Sequence, residues 1–268
     1  MLKQRVVTAV VLAGVALWAL FGWSNFFYAL LLLVATFACA WEWSALGNLH
    51  SVLSRVCFSG IVTLVTFLLI LFSSVKVLQP LALVGALSWI AITLDLYVRP
   101  TVRAEHSKVR WLLLLLAAAI LGISVASLYW LRGAYSPAMI VYIVALVAEA
   151  DIGAYFTGRK FGRRKLAIEI SQGKTVEGAL GGLLAAFCLA LLATRYFSGA
   201  NLSLVSFFVF SIVAAMFSIS GDLFISRAKR TRGVKDSGNL LPGHGGVLDR
   251  FDGLLAAIPW MAFAILWV

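Results

Sequence analysis

The sequence predicts an all-α, polytopic integral membrane protein with about nine transmembrane helices in one bundle. Three observations carry that prediction. The 268 residues are 62% hydrophobic and only 12% charged, with a mean hydropathy of +1.00; a water-soluble domain of this length is far more polar. The apolar residues fall in continuous runs near the roughly 20 residues that a helix needs to cross hydrocarbon. The basic residues fall almost wholly on alternate connections between those runs.

The runs cover residues 6–21, 25–46, 56–72, 77–98, 111–131, 137–157, 176–193, 204–223 and 250–268. An unpaired backbone group is costly in lipid, so each run should be helical, and the shortest fit a tilted bundle shielded by its neighbours. Their continuity excludes the short alternating segments of an outer-membrane barrel. Lys3 and Arg5 before the first run look like the start of a cleaved signal. The bulky, aromatic residues 19–24 offer no small-residue cleavage site, however, so a retained first helix is expected. Cys39, Cys57 and Cys188 all lie in apolar runs without a CxxC pair and read as small buried hydrophobes.

With the amino terminus in the cytoplasm, nineteen lysines and arginines fall on the cytoplasmic side and three (Lys76, Arg132 and Arg195) on the other. This is a strong positive-inside bias, and it sends the carboxyl terminus to the far side. The net charge of +11 is thereby concentrated on one face, where it attracts anionic lipid headgroups. Nucleic acid is not an expected partner, because the basic loops are short and nearly free of aromatics.

The acids are distributed differently. Eight of the eleven lie between Glu149 and Asp252. Ionisable groups at membrane depth are expensive and usually functional. Residues 1–135 therefore read as a scaffold of about five helices, and residues 136–268 as a catalytic region with two cytoplasmic polar loops. Asp151, Asp222 and Asp249 stand at the edges of apolar runs. Consecutive helices joined by a cytoplasmic loop bring the last two together, and facing carboxylates suit Mg²⁺, which takes one or two of them plus substrate phosphates. The competing expectation is that each simply pairs with an arginine such as Arg227 or Arg250.

Around these acids lie Lys174, Arg227, Lys229, Arg230, Arg232, Lys235 and Arg250. Ser226 and Arg230 follow Asp222 at helical steps of four and share its face. Gly243, Gly245 and Gly246 flank His244; glycines let backbone amides approach a phosphate, or make a tight turn into the last run. His244 suits phosphate donation or acid–base work, or a structural hydrogen bond across that turn. His50 and His106 are given no role. "GHGG" lacks the spacing of a dinucleotide fingerprint, and "GKT" at 173–175 is no Walker A loop because Ile168 stands where its first glycine belongs.

These residues resemble a known pattern. "SRAKRTRGVKDSGNLLPGHGGVLDRFD", residues 226–252, is similar to the signature of the phosphatidate cytidylyltransferases, or CDP-diacylglycerol synthases: a serine, Lys-Arg, Lys-Asp, then His-Gly-Gly and Asp-Arg-x-Asp at fixed spacing. "DIGAYFTGRKFGRRK", "SQGKTVEGALGG" and "EWSAL" at 42–46 resemble the family too, and nine runs in this length resemble its bacterial type. One departure is visible: the family commonly has Ser-Pro-Lys-Lys-Thr where this chain has Ser171, Gln172, Gly173, Lys174 and Thr175.

The resemblance implies the reaction of CTP with phosphatidate to give CDP-diacylglycerol and pyrophosphate, in phospholipid biosynthesis at the bacterial inner membrane. It implies Mg²⁺ held by Asp222 and Asp249, with a monovalent cation such as K⁺ beside it, and a homodimer. The expected catalytic set is Asp222, Lys235, Asp236, His244, Asp249 and Arg250. The expected substrate-binding set is Asp151, Lys174, Ser226, Lys229, Arg230, Gly245, Gly246 and Asp252. A CTP-dependent polyprenol kinase and an ion-coupled transporter are the competing readings. The first is disfavoured by the full match over 226–252, the second by the one-sided polar cluster and the absence of a repeat.

Overall fold

A computed structural model describes residues 2–102, 108–197, 203–241 and 245–267, and within them the nine runs form nine α-helices. They are α1 (Leu2–Gly22), α2 (Asn25–Leu46), α3 (Val52–Leu71), α4 (Val75–Val98), α5 (Trp111–Trp130), α6 (Pro137–Phe161), α7 (Val176–Phe197), α8 (Leu204–Thr231) and α9 (Leu248–Trp267). Eight of them are long and apolar enough to cross a membrane, so the chain is a multi-pass membrane protein. Large apolar side chains such as Val34, Leu64, Leu87 and Leu192 cover the outside of the bundle, where lipid rather than water is their solvent.

The boundaries differ where polar chemistry prolongs a helix beyond its apolar run. α3 begins at Val52 because the Ser51 hydroxyl caps it, accepting from Ser54 N at 3.0 Å. α8 continues to Thr231, carrying Ser226, Lys229 and Arg230 on a helical stem past the apolar part. α5 ends in a π-helical turn, Leu131–Tyr135.

One element was not expected: β1 (Lys165–Ala167) and β2 (Ser171–Thr175) form an antiparallel hairpin between α6 and α7. Buried Ala167 and Ile170 pin it to the bundle. Glu177 at the start of α7 ties its base, accepting from Arg163 N at 3.0 Å and Arg164 N at 3.1 Å.

Two apolar cores are stacked along the bundle, and α9 feeds both. One includes Tyr28, Met139, Ile143 and Met261. The other is built on Trp43, Trp89 and Phe224, with Trp89 edge-on to Phe224 at 5.9 Å between ring centroids. Pro259 inside α9 has no N–H for the Leu255 carbonyl. That carbonyl accepts instead from Trp89 Nε1 at 3.1 Å and Ser124 Oγ at 2.9 Å, so α4 and α5 supply what α9 lacks. Elsewhere small residues set the spacing: α6 and α7 pack so closely that a Cβ at Gly182 would meet the Ala150 carbonyl oxygen. Cys39 is buried as expected, but Cys57 and Cys188 lie exposed on the apolar exterior of α3 and α7, a correction to their expected burial. In lipid an outward thiol costs nothing, so an apolar run does not reveal which face a cysteine takes.

Arg132, in the π-turn, ties α1 and α2 to the bundle at the end opposite the hairpin. Its guanidinium donates to Leu20 O and Asn25 Oδ1, both at 2.7 Å, and to Trp23 O, and it lies 4.5 Å from the Tyr28 ring centroid. Arg132→Ala is expected to cost on the order of 3 kcal/mol, because carbonyls left without a donor are expensive. A fall in the thermal midpoint of the purified protein checks this.

The other end gathers the charged residues. Asp95 of α4 pairs with Arg227 of α8 at 2.5 Å. Asn48, in the α2–α3 turn, accepts from Arg232 Nη1 at 2.7 Å and donates to Lys108 O at 2.9 Å. Glu169 in the hairpin turn accepts from Val102 N at 2.8 Å. The termini of α2, α4, α8 and the hairpin are thus crosslinked into one polar platform.

Candidate active site

Two ion pairs form the centre of this platform. Asp222, at the end of the apolar part of α8, pairs through Oδ2 with Lys174 of β2 at 2.5 Å, and its Oδ1 accepts from Ser226 Oγ at 3.0 Å. The helical step of four expected for Ser226 is therefore realised as a direct contact. Asp249, in the first turn of α9, pairs through Oδ1 with Lys229 of α8 at 2.7 Å. Its Oδ2 accepts from Ser237 N at 2.9 Å and Gly246 N at 3.3 Å. The partners are lysines, not the arginines considered from sequence; Arg227 is engaged with Asp95.

The pairs differ in burial. The Lys174 and Asp222 side chains are 24% and 32% exposed, whereas Lys229 and Asp249 are 12% and 10%. Asp252 lies one turn further along α9, its backbone packed against Gly221 beside Asp222. Asp151 on α6 lines the same cleft as Lys174 and Asp222. Four aspartates and two lysines from α6, β2, α8 and α9 thus gather at this end of the bundle.

Beside it opens a cleft of about 420 Å³ between α6, α7, α8 and the hairpin. Its lining includes the charged Asp151, Lys174 and Asp222 and the apolar or aromatic Tyr155, Leu166 and Ile219. A second cavity of about 500 Å³ lies against the hairpin turn, between Gln172 and Arg230. Gly173 borders both. A side chain there would meet nothing within 4 Å, so packing does not require glycine at this position.

The remaining expected residues are placed as follows. Arg230 reaches back to Ile170 O at 3.4 Å and Val234 O at 3.3 Å, tying α8 to the hairpin. Gly245 has φ +81°, a conformation that L side chains rarely adopt, and bridges to Leu241. Lys235, Asp236 and Arg250 are exposed at the rim. His244 lies outside the described residues.

Sequence reasoning missed Glu42. This side chain of α2 is buried and accepts from Ser237 Oγ at 2.7 Å, Val247 N at 2.9 Å and Leu248 N at 2.9 Å. A lone carboxylate near the end of an apolar run was the available signal, within the "EWSAL" segment.

Among the described residues, no three His, Cys, Asp or Glu side chains are grouped to hold a metal by themselves. Asp151 and Asp222 present hard carboxylate oxygens to the cleft, whereas both oxygens of Asp249 are engaged by Lys229, Ser237 N and Gly246 N. That set fits an ion such as Mg²⁺, which takes one or two carboxylates and completes its shell with phosphate and water; it does not form an all-protein cage.

A bundle of membrane-spanning helices with two lysine–aspartate pairs and a cleft at one end defines the class as an integral-membrane protein with a charged terminal site. Comparison with known proteins makes the class specific. Residues 3–268 match the model of the cytidylyltransferase family. The chain is 37% identical over 287 residues to a phosphatidate cytidylyltransferase of Haemophilus influenzae, covering all of both proteins. It is 37% identical over 272 residues to that of Pseudomonas aeruginosa, covering 100% of this chain and 97% of the relative. The chain belongs to the cytidylyltransferase family.

Proposed function

We propose that the protein is a phosphatidate cytidylyltransferase, transferring CMP from CTP to phosphatidate to give CDP-diacylglycerol and pyrophosphate. The observation that carries this reading is a pair of Lys–Asp ion pairs, Lys174–Asp222 and Lys229–Asp249, the first of them lining a cleft that also carries apolar side chains. A lipid phosphate needs such a surface: its tails stay in the bilayer while the headgroup meets charged side chains.

The phosphatidate oxygen is already anionic, so no strong base is required. The site must align that oxygen with the α-phosphorus of CTP and offset the charge that develops on pyrophosphate. Lys174, Lys229 and Arg230 supply positive charge fixed by the fold, with Lys235 and Arg250 at the rim. Ser226 offers a hydroxyl and Gly245 a backbone amide to phosphate oxygens, while the expected role of Gly246 becomes indirect, since its amide holds Asp249. Asp151, Asp236 and Asp252 orient these cations, and His244 is assigned to phosphate contact. Asp222 and Asp249 would hold Mg²⁺, with K⁺ beside it. When bound, Mg²⁺ supplies positive charge against the CTP phosphates. In this reading residues 1–135 are the scaffold and 136–268 carry the chemistry. The basic end faces the cytoplasm at the inner membrane, and the chain works as a homodimer.

The test is purified protein with CTP, phosphatidate and Mg²⁺ in detergent, with label at the α- or the γ-phosphate. α-Label in CDP-diacylglycerol with release of pyrophosphate is expected; γ-label in the lipid product would instead mark a kinase. Lys174→Ala is expected to raise KM for CTP about tenfold with a smaller change in kcat, because it removes a charge that meets the ground-state phosphates. An unchanged KM would take Lys174 out of the phosphate site.

A further inference from the structure

Glu42 lies one turn from the carboxyl end of α2 and is 1% exposed. Its own helix does not favour an anion there, since the carbonyl end carries partial negative charge. Its partners come from far along the chain. Oε2 accepts from Ser237 Oγ and Leu248 N, and Oε1 from Val247 N. The two amides stand at the start of α9, where a helix leaves N–H groups without internal partners. α2 therefore caps α9 from outside.

The same loop holds Asp249, and Ser237 is shared between the two carboxylates. Its hydroxyl donates to Glu42 and its amide to Asp249. Two glycines allow the approach: a Cβ at Gly238 or Gly246 would run into the Glu42 carboxylate. Ser237 and Gly246, which hold the inner oxygen of Asp249, are thus themselves set against Glu42.

We infer that Glu42 is a positioning residue for the transfer reaction. It fixes the backbone on both sides of the loop, Ser237 on one and Val247–Leu248 on the other, so that Asp249 and its partner Lys229 stand where phosphates arrive. Glu42 itself touches no substrate. The inference rests on the proposed function for its catalytic part, whereas its hold on the loop is tested independently.

The experiment compares the full chain with E42Q in detergent, by steady-state kinetics and by amide hydrogen exchange. Glutamine keeps the size of the side chain but turns one oxygen into a donor facing donors. The kcat of E42Q is expected to fall about 100-fold, the loss typical of slightly misplaced catalytic groups. KM for phosphatidate should move by less than about threefold, since that binding is not what Glu42 provides. Exchange in peptides covering residues 236–241 and 245–249 should rise about tenfold, while the middle of α5 keeps its protection.

A merely structural role would lower the thermal midpoint and speed exchange throughout, leaving kcat per folded molecule unchanged; that result, or wild-type values in both readouts, overturns the inference. Should E42Q not accumulate, S237A carries the test by removing one donor: kcat is expected to fall about tenfold with faster exchange in the same peptides. Wild-type kcat and exchange in S237A would overturn the inference equally. If the wild-type chain makes no CDP-diacylglycerol, the functional reading is what has failed. The exchange comparison then still decides whether Glu42 holds the loop.

Discussion

Asp222→Asn is expected to cut CDP-diacylglycerol formation about 10³-fold at saturating CTP, the scale of losing one preorganised electrostatic group. Folding should hardly change. The Asp222 and Lys174 side chains are 32% and 24% exposed, and a pair this hydrated contributes only about 0–1 kcal/mol. Asparagine still offers an oxygen to Ser226 Oγ, the other contact that Asp222 makes. What disappears is a negative charge lining the cleft, and with it the counter-charge that holds Lys174 in place. Pyrophosphate release against intrinsic-fluorescence unfolding separates the two effects. Activity within about threefold of wild type would remove Asp222 from the reaction.

Asp249→Asn is expected to abolish activity to a similar degree and, unlike Asp222→Asn, to destabilise the protein by about 3–5 kcal/mol, because it leaves a buried ammonium without its partner. Lys229 is 12% exposed and has little access to water in compensation. The new amide cannot satisfy its surroundings: Lys229 Nζ faces one carboxylate oxygen, while Ser237 N and Gly246 N face the other, so its NH₂ must meet a donor. Asp249→Asn combined with Lys229→Met should regain much of the stability and none of the activity. Denaturation midpoints and CDP-diacylglycerol formation, measured on the single and double variants, check both parts. Near-normal activity of Asp249→Asn at saturating Mg²⁺ would remove Asp249 from metal binding.

The helices were legible because lipid imposes one rule on every residue they contain: the backbone must satisfy itself. Hence α2, α4 and α7 begin at or within two residues of the apolar runs. The prolonged helix of α8 was not legible as a boundary, since polar residues beyond hydrocarbon carry no hydropathy signal, although the spacing of Asp222 and Ser226 revealed its consequence. The hairpin was hidden because its strands are only three and five residues long and are set among charges, too short for an alternation to show. Lys174 and Lys229 could be named as members of the site, but not assigned to Asp222 and Asp249, because partner choice depends on how β2, α8 and α9 pack. Glu42 was beyond reach for the same reason: its contacts with Val247 and Leu248 span 205 and 206 positions, and nothing near it in sequence announces them.

That separation has a bearing on biosynthesis. α9 follows in the chain every helix against which it packs, including α2, α4, α5 and α8. Translation therefore delivers it onto a groove already lined with waiting acceptors and donors: the Glu42 carboxylate for its leading turn, and Trp89 with Ser124 for the carbonyl that Pro259 leaves over. A ribosome-bound chain lacking this helix has its lysines and most of its acids in place, but no assembled centre. In the proposed reading the site is complete only once α9 is in place, because that helix brings Asp249 to Lys229.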